Sequence, residues 1–145
     1  YQQIHWGCQT VELAVKAVDV NIVVYLFIQG RHSESAGHLF DRDANWMLPD
    51  LWIHEMTNVV STYIKQDGMS TNNGEKILKS AYQYFGKTTY SLPMADVLRN
   101  SVKYNISGYD SAYITLAIAH DLPLITMDKK LAKKVPEFTE LFAVR

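Results

Sequence analysis

The chain has 145 residues, of which 48% are hydrophobic, 20% charged and 12% aromatic. This length and composition fit one globular domain with one core, and they exclude disordered and low-complexity proteins. The chain has 14 Lys and Arg and 15 Asp and Glu, which gives a net charge of -1. A nucleic-acid site would therefore have to be a local basic patch.

Several features of the sequence indicate a soluble cytoplasmic protein of one domain. Cys8 is the only cysteine and cannot form an internal disulfide, which fits a reducing compartment. The longest apolar run, at residues 22–28, is far shorter than the ~20 residues of a membrane-spanning helix. Residues 1–10 have neither an initiator Met nor a secretory apolar stretch, so we expect a processed or truncated end. We expect residues 1–13 to be an N-terminal extension and residues 14–145 to form one domain.

The first half of the chain alternates short apolar segments with segments of helical periodicity. Residues 13–18 are apolar and rich in Val, which predicts a buried strand that ends at Asp19. Between residues 51 and 64 apolar residues recur at helical spacing, which predicts a long helix that ends near Asp67-Gly68. The predicted elements are a strand at residues 46–48 and helices at residues 22–28, 34–42 and 51–64.

The second half continues in the same alternation. Ser70 or Thr71 can cap a helix that ends near Gly86, and Pro93 can begin the next helix. The predicted elements after Gly86 are strands at residues 88–92, 123–127 and 138–144, helices at residues 93–104 and 112–119, and a basic turn or helix at residues 129–134. Because strands separated by helices pair in parallel, we predict a three-layer α/β/α sandwich with a mainly parallel central sheet.

Four acidic residues lie where such a sheet would hold a functional site. Asp19 and Asp128 each follow a strongly apolar strand, so both should emerge at the carboxyl edge of the sheet. Glu55 lies in the first two turns of the long helix, and Asp110 lies at the start of the helix at residues 112–119. Four carboxylates in one pocket would require a cation, because they repel one another.

Each of these residues also has a purely structural interpretation. Asp19, Asp110 and Asp128 each precede a predicted helix, and Asp is a favoured helix cap. Residues 107–110 match a capping box, and Glu55 alone could be an exposed helical residue. Asn21 and Thr126 could orient the acids or a phosphate, or they could serve as a helix cap and a strand residue respectively.

The segments that carry these acids resemble the PIN-domain ribonucleases and, within them, the VapC-type toxins of toxin–antitoxin pairs. Residues 18–26 are similar to the opening strand and helix of that family, and residues 55–60 resemble the helix that bears its second acid, with Asn58 three positions later. The strongest match is Tyr109-Asp110-Ser111-Ala112-Tyr113 together with residues 122–131, which carry the third and fourth acids.

The resemblance implies a metal-dependent endoribonuclease. Asp19, Glu55 and Asp110 would hold Mg²⁺ or Mn²⁺, directly or through water, and Asp128 would support a second ion or orient the attacking water. It also implies an RNA substrate and a small antitoxin partner. We further predict a homodimer, for which residues 22–28 and 51–64 would supply apolar surface.

The clearest basic patch lies beside the fourth acid. Its members are Lys129, Lys130, Lys133 and Lys134. They could contact the phosphate backbone of RNA, although a charge run of this kind is also typical of a solvated helix face.

Two other classes of function stay open on the sequence alone. A phosphoacceptor receiver domain also places acids at strand ends, but it needs an acidic pair after its first strand and a late Lys-Pro signature, which this chain lacks. A noncatalytic PIN-like module that binds RNA or protein would keep the fold and lose metal ligands, whereas all four acids are present here.

Overall fold

The first two strands form a small sheet apart from the main one. The computed structural model describes residues 2–6, 9–13 and 15–142, so Cys8 and residues 143–144 of the last predicted strand lie outside the described residues. Strands β1 (Gln2–Trp6) and β2 (Gln9–Leu13) pair antiparallel with each other. The prediction that Leu13 begins the next strand is wrong, because Leu13 pairs with Gln2 in this two-stranded sheet.

A five-stranded parallel sheet forms the centre of the molecule. Its strands are β3 (Val15–Val18), β4 (Asn45–Pro49), β5 (Thr89–Tyr90), β6 (Leu124–Thr126) and β7 (Thr139–Leu141), in the order β5-β4-β3-β6-β7. The helices around it are α1 (Val20–Phe27), α2 (Ser33–Arg42), α3 (Leu51–Gln66), α4 (Thr71–Phe85), α5 (Met94–Tyr104), α6 (Gly108–Ala119) and α7 (Lys129–Lys134). The three-layer α/β/α fold with a parallel sheet is confirmed.

Both faces of the sheet are buried. In β4, Trp46 and Leu48 belong to the larger apolar cluster, whereas Met47 between them packs with Val15 and Leu116 in a second cluster. Alternate side chains of a strand point to opposite faces, so a strand buried on both sides is apolar throughout. None of the helices in the described residues is long and apolar enough to cross a bilayer.

Local hydrogen bonds explain where the elements differ from the predictions. Helix α6 begins at Gly108 and not at residue 112, because the Ser107 hydroxyl caps it by accepting a bond from the Asp110 N–H at 3.0 Å. The edge strand predicted at residues 88–92 is reduced to two residues, since Gly86–Thr88 form a 3-10 turn. A second such turn, Pro136–Phe138, occupies the predicted start of the last strand, which therefore begins at Thr139 and not at residue 138.

Aromatic packing fixes α3 and α4 against β4. The Trp46 ring stacks on Phe85 with centroids 5.3 Å apart, and Trp52 meets the same Phe85 ring edge-on. The indole N–H of Trp52 donates to the Thr89 hydroxyl at 2.9 Å. Because Trp52 lies one turn before Glu55 on α3, these contacts also position the second acid.

Helix α5 carries a stripe of three strongly exposed apolar side chains. Met94, Leu98 and Val102 are 88%, 65% and 74% exposed, and they follow one another at intervals of four residues. On the helices predicted to supply apolar surface, the side chains of Ile22 and Trp52 are instead buried in the core. Helices α1 and α3 therefore offer less apolar surface for self-association than α5 does.

Gly74 allows α3 and α4 to approach closely. A Cβ atom at this position would lie 2.8 Å from Val60 Cγ1 and 2.8 Å from Ile64 Cδ1. The Ile64 terminus can move, but Val60 is buried and β-branched, and it has little rotational freedom. Gly37 on α2 provides a contrast, since nothing lies within 4 Å of a Cβ there.

These two helical glycines should respond oppositely to alanine. Gly37→Ala should raise the free energy of unfolding by about 0.5–1 kcal/mol, because Ala loses less backbone entropy. Gly74→Ala should lower it by about 1–3 kcal/mol, because the added methyl overpacks the α3–α4 contact. Urea unfolding of both variants measures the difference, and equal effects would contradict the close approach.

Candidate active site

The four predicted acids line one cavity. The cavity has a volume of about 310 Å³ and lies at the carboxyl edge of β3 and β6. Its lining residues are Asp19, Val20, Asn21, Glu55, Asn58, Val59, Asp110, Tyr113, Leu124, Asp128 and Leu131. The structure therefore brings Asp19, Glu55, Asp110 and Asp128 together, as the sequence predicted.

Asp19 is both a helix cap and a wall of the cavity. It directly follows β3, and one of its carboxylate oxygens accepts the Asn21 N–H at 3.3 Å to cap α1. Its own N–H donates to the Ile125 carbonyl at 3.0 Å, which ties the end of β3 to β6. Asn21 is not the cap: it lies in the first turn of α1, and its exposed side chain belongs to the cavity lining.

One buried hydroxyl connects Asp19 to Asp128. Thr126, the last residue of β6, is fully buried, and its hydroxyl donates to Asp19 Oδ2 at 3.1 Å. The Thr126 hydroxyl oxygen itself accepts the Asp128 N–H at 3.1 Å. Asp128 in turn caps α7, because its Oδ1 accepts the N–H of Lys130 at 2.9 Å and the N–H of Leu131 at 3.0 Å. Thr126 is thus a strand residue whose hydroxyl also hydrogen-bonds to the first acid.

Glu55 meets the cavity from α3 and is held from α6. The Tyr113 hydroxyl donates to Glu55 Oε1 at 2.6 Å. Tyr113 is only 4% exposed, and burial beside the Glu55 carboxylate raises its pKa far above the usual range, so the hydroxyl stays a donor.

Asp110 is not the N-terminal cap of α6. Ser107 takes that position, and Asp110 lies three residues later in the first turn, as in a capping box. A helix that precedes a parallel strand starts at the carboxyl edge of the sheet, so the first turn of α6 faces the cavity. The capping interpretation is therefore correct for Asp19 and Asp128, whereas at α6 the capping side chain is that of Ser107.

Burial raises the pKa values of three of the acids. Loss of hydration is the largest cause for Asp19, Glu55 and Asp110, and repulsion among the neighbouring carboxylates adds to it. Hydrogen bonds oppose this rise: Asn21 and Thr126 lower the pKa of Asp19, Tyr113 lowers that of Glu55, and Ser107 lowers that of Asp110. The cavity therefore favours either protons or a cation at these oxygens.

The donor set fits a hard divalent cation. Four carboxylates offer only oxygen atoms, which Mg²⁺ and Mn²⁺ prefer, and a positive ion would relieve the repulsion that helps to raise the pKa values of Asp19, Glu55 and Asp110. In the part of the chain that the structure describes, no three His, Cys, Asp or Glu side chains are arranged to hold one ion as they stand. Ligation would therefore pass partly through water, which Mg²⁺ retains readily, or would follow a side-chain rotation.

All four lysines of the basic patch are exposed on α7. Lys134 extends toward the start of α6: its ammonium donates to the Asn105 carbonyl at 2.7 Å, and its charge lowers the pKa of Asp110. The patch therefore adjoins the cavity.

Tyr113 and Asn58 are cavity residues to which the sequence assigned no role. Tyr113 follows Asp110 by three positions, so helical spacing places both on one face of α6 and could have identified it. Its partner Glu55 is 58 residues away in the chain, and only the tertiary structure shows that contact.

Comparisons with known proteins agree with this fold. The PIN domain family model matches residues 16–136. Ribonuclease VapC3 from Pyrobaculum aerophilum is 23% identical over 122 residues, which cover 82% of this chain and 93% of that protein.

Solved structures show the same fold at low sequence identity. The crystal structure of PAE2754 from Pyrobaculum aerophilum has a TM-score of 0.69 and 20% identity, with coverage of 90% of this chain and 92% of that chain. FitAcB from Neisseria gonorrhoeae has a TM-score of 0.64 and 14% identity, with coverage of 89% and 97%. A toxin–antitoxin complex from Klebsiella pneumoniae has a TM-score of 0.60 and 18% identity, with coverage of 88% and 96%. Since the family model spans most of the chain and the described fold agrees with it, the chain belongs to the PIN domain family.

Proposed function

We propose that the protein is a metal-dependent endoribonuclease and the toxin of a toxin–antitoxin module. The observation that carries this proposal is the convergence of four carboxylates, from different elements, on one cavity at the carboxyl edge of the sheet. The similarity to a ribonuclease and to a toxin–antitoxin complex supports the choice of RNA and of an antitoxin partner.

Asp19, Glu55 and Asp110 would hold Mg²⁺ or Mn²⁺, and Asp128 would support a second ion or orient the attacking water. A bound divalent ion at such a site supplies a water of lowered pKa and stabilises charge on the phosphoryl oxygens. The protein's own part is to hold the carboxylates in place: Thr126 orients Asp19, and Tyr113 holds Glu55. A noncatalytic module would gain nothing from half-buried acids that repel one another.

The α7 lysines are suited to the phosphate backbone of the substrate. Four exposed cations lie on one short helix that Asp128 caps, namely Lys129, Lys130, Lys133 and Lys134. Contacts of this kind depend on charge and not on base identity, so they position RNA without selecting a sequence.

We also propose that two copies associate through α5. Its exposed apolar stripe of Met94, Leu98 and Val102 adjoins an apolar groove of about 330 Å³. Two copies related by a two-fold axis would place this stripe against itself and bury apolar surface that is exposed in a single copy, which favours a second copy as the occupant.

Asp19→Asn should abolish cleavage without unfolding the protein. Asn caps helices about as well as Asp, so α1 should keep its cap while the site loses a charge. The measurement is cleavage of total cellular RNA by purified protein in Mg²⁺ or Mn²⁺, with and without EDTA, and circular dichroism checks the fold. Asp67→Asn, at an exposed position at the end of α3, is the matched control and should retain activity. Full cleavage by Asp19→Asn, or by the wild type in EDTA, would refute the assignment.

Asp110→Asn should separate a metal site from a merely structural acid. The pKa of Asp110 is raised in the fold, so its charged form destabilises the metal-free protein above that pKa. In EDTA at neutral pH the variant should melt at the same temperature as the wild type or higher, and the difference should shrink as the pH falls and the wild-type carboxyl is protonated. In Mn²⁺ the variant should lose most of the metal-induced stabilisation together with cleavage.

A structural role for Asp110 predicts other values in the same experiment. Loss of its attraction to the α6 dipole would lower stability by no more than about 1 kcal/mol, with or without metal. Unchanged Mn²⁺ stabilisation and unchanged cleavage in Asp110→Asn would remove this residue from the site.

Leu98→Glu should dissociate the proposed dimer. It places a charge in the middle of the α5 stripe, where two apolar faces would meet. Sedimentation equilibrium should show a dimer for the wild type and a monomer for the variant, whereas Tyr82→Glu, at an exposed position on α4, should remain dimeric. A monomeric wild type at high concentration would count against the dimer.

A further inference from the structure

We propose that Tyr113 is a positioning residue that fixes the Glu55 carboxylate for metal binding; this inference rests on the proposed metal-dependent function. The Tyr113 hydroxyl donates to Glu55 Oε1 at 2.6 Å, and both side chains line the cavity. A short bond from a buried donor fixes one oxygen of the carboxylate and directs the remaining lone pairs toward the cavity.

The ring of Tyr113 is itself rigidly held. It is 4% exposed, and the residues that follow it on α6, from Ile114 to Ala117, are buried as well. Glu55, by contrast, is only half-buried and has three rotatable side-chain bonds, so it would otherwise sample several rotamers. The hydrogen bond from Tyr113 on α6 therefore restricts the rotamers that the Glu55 side chain on α3 can adopt.

The same contact sets the spacing of two acids. Tyr113 lies three residues after Asp110, on the same face of α6. A bond from Tyr113 to Glu55 therefore fixes the second acid relative to the helix that carries the third. Thr126 does the equivalent for the other pair, because its hydroxyl bonds both to the Asp19 carboxylate and to the Asp128 N–H.

A purely structural role for Tyr113 makes a different prediction. If the hydroxyl only joins α3 to α6, its loss should lower stability and leave metal affinity unchanged. If it positions Glu55, its loss should weaken metal binding and change stability little, because the ring still fills its site.

Tyr113→Phe tests this difference, since it removes only the hydroxyl. Mn²⁺ binding is measured from the free-ion signal in electron paramagnetic resonance, alongside thermal melts in EDTA and in Mn²⁺. We expect the Kd for Mn²⁺ to rise about tenfold or more, as for the loss of other partners that orient metal ligands. The Mn²⁺ concentration for half-maximal cleavage should rise with it, while the maximal rate at saturating Mn²⁺ falls less. Tyr63→Phe, on α3 and outside the cavity lining, is the matched control and should bind Mn²⁺ like the wild type.

A double-mutant cycle with Glu55→Gln locates the effect. The Glu55→Gln protein and the Glu55→Gln/Tyr113→Phe protein should bind Mn²⁺ equally weakly, because the hydroxyl acts only through the carboxylate. A further loss in the double variant would overturn the proposal, since Tyr113 would then act elsewhere.

A second experiment keeps Tyr113 in place, so it is informative even if the Tyr113→Phe variant does not fold. The ¹³Cζ resonance of labelled Tyr113 should shift on addition of Mg²⁺ to the wild type and stay unchanged in Glu55→Gln. No shift in a wild type that binds Mg²⁺ would overturn the positioning role. Unchanged Mn²⁺ affinity in Tyr113→Phe would do the same and leave the nuclease proposal intact, whereas a wild type that neither binds Mn²⁺ nor cleaves RNA overturns both.

Discussion

The parallel pairing of β3 with β6 is the contact on which the candidate site depends. Ala17 and Val18 lie opposite Leu124 and Ile125, and the Asp19 N–H extends the pairing to the Ile125 carbonyl. Residues that follow two parallel strands leave the sheet at one edge. The first and fourth acids therefore meet there, although most of the chain lies between them. Helix α3 enters from β4 at this edge, and α6 starts at it, so the other two acids reach the same cavity.

The cavity is electrostatically unfavourable in the absence of a cation. Loss of hydration and mutual repulsion raise the pKa values of Asp19, Glu55 and Asp110, which means that their charged forms oppose folding at neutral pH. Buried hydroxyls and backbone N–H groups offset part of this effect by hydrogen bonding to the charged forms. A ligand that neutralised these charges would therefore stabilise the folded protein. Strongly perturbed acids of this kind are more typical of functional sites than of structural ones.

Structural and functional roles coincide in the same side chains. Asp19 and Asp128 cap α1 and α7, and these caps also fix the orientation of each carboxylate relative to the sheet edge. A cap at the end of a strand thus places an acid with the precision of the backbone, since its rotamer is set by the first turn of the following helix. Asp19 and Asp128 can therefore be helix caps and candidate metal ligands at the same time. Thr126 links these two residues by hydrogen bonds to the Asp19 carboxylate and to the Asp128 N–H.

The sequence by itself determined the alternation of strands and helices, the parallel sheet and the four acids at its carboxyl edge, because these follow from local periodicity and from residues adjacent in the chain. It also determined most helix starts, since a cap such as Ser70 acts within three residues, although α6 starts at Gly108, ahead of its predicted start at residue 112. What only the tertiary structure decided are the contacts between distant segments: the Tyr113–Glu55 bond, the Thr126–Asp19 bond and the exposure of the α5 apolar stripe. The α5 stripe has the same spacing as a core-facing helix, and whether such a face is covered depends on what packs against it, which no local pattern encodes. Likewise, a hydroxyl and a carboxylate 58 residues apart become partners only when two helices approach at a particular distance and rotation, and that geometry is set by the packing of the whole core.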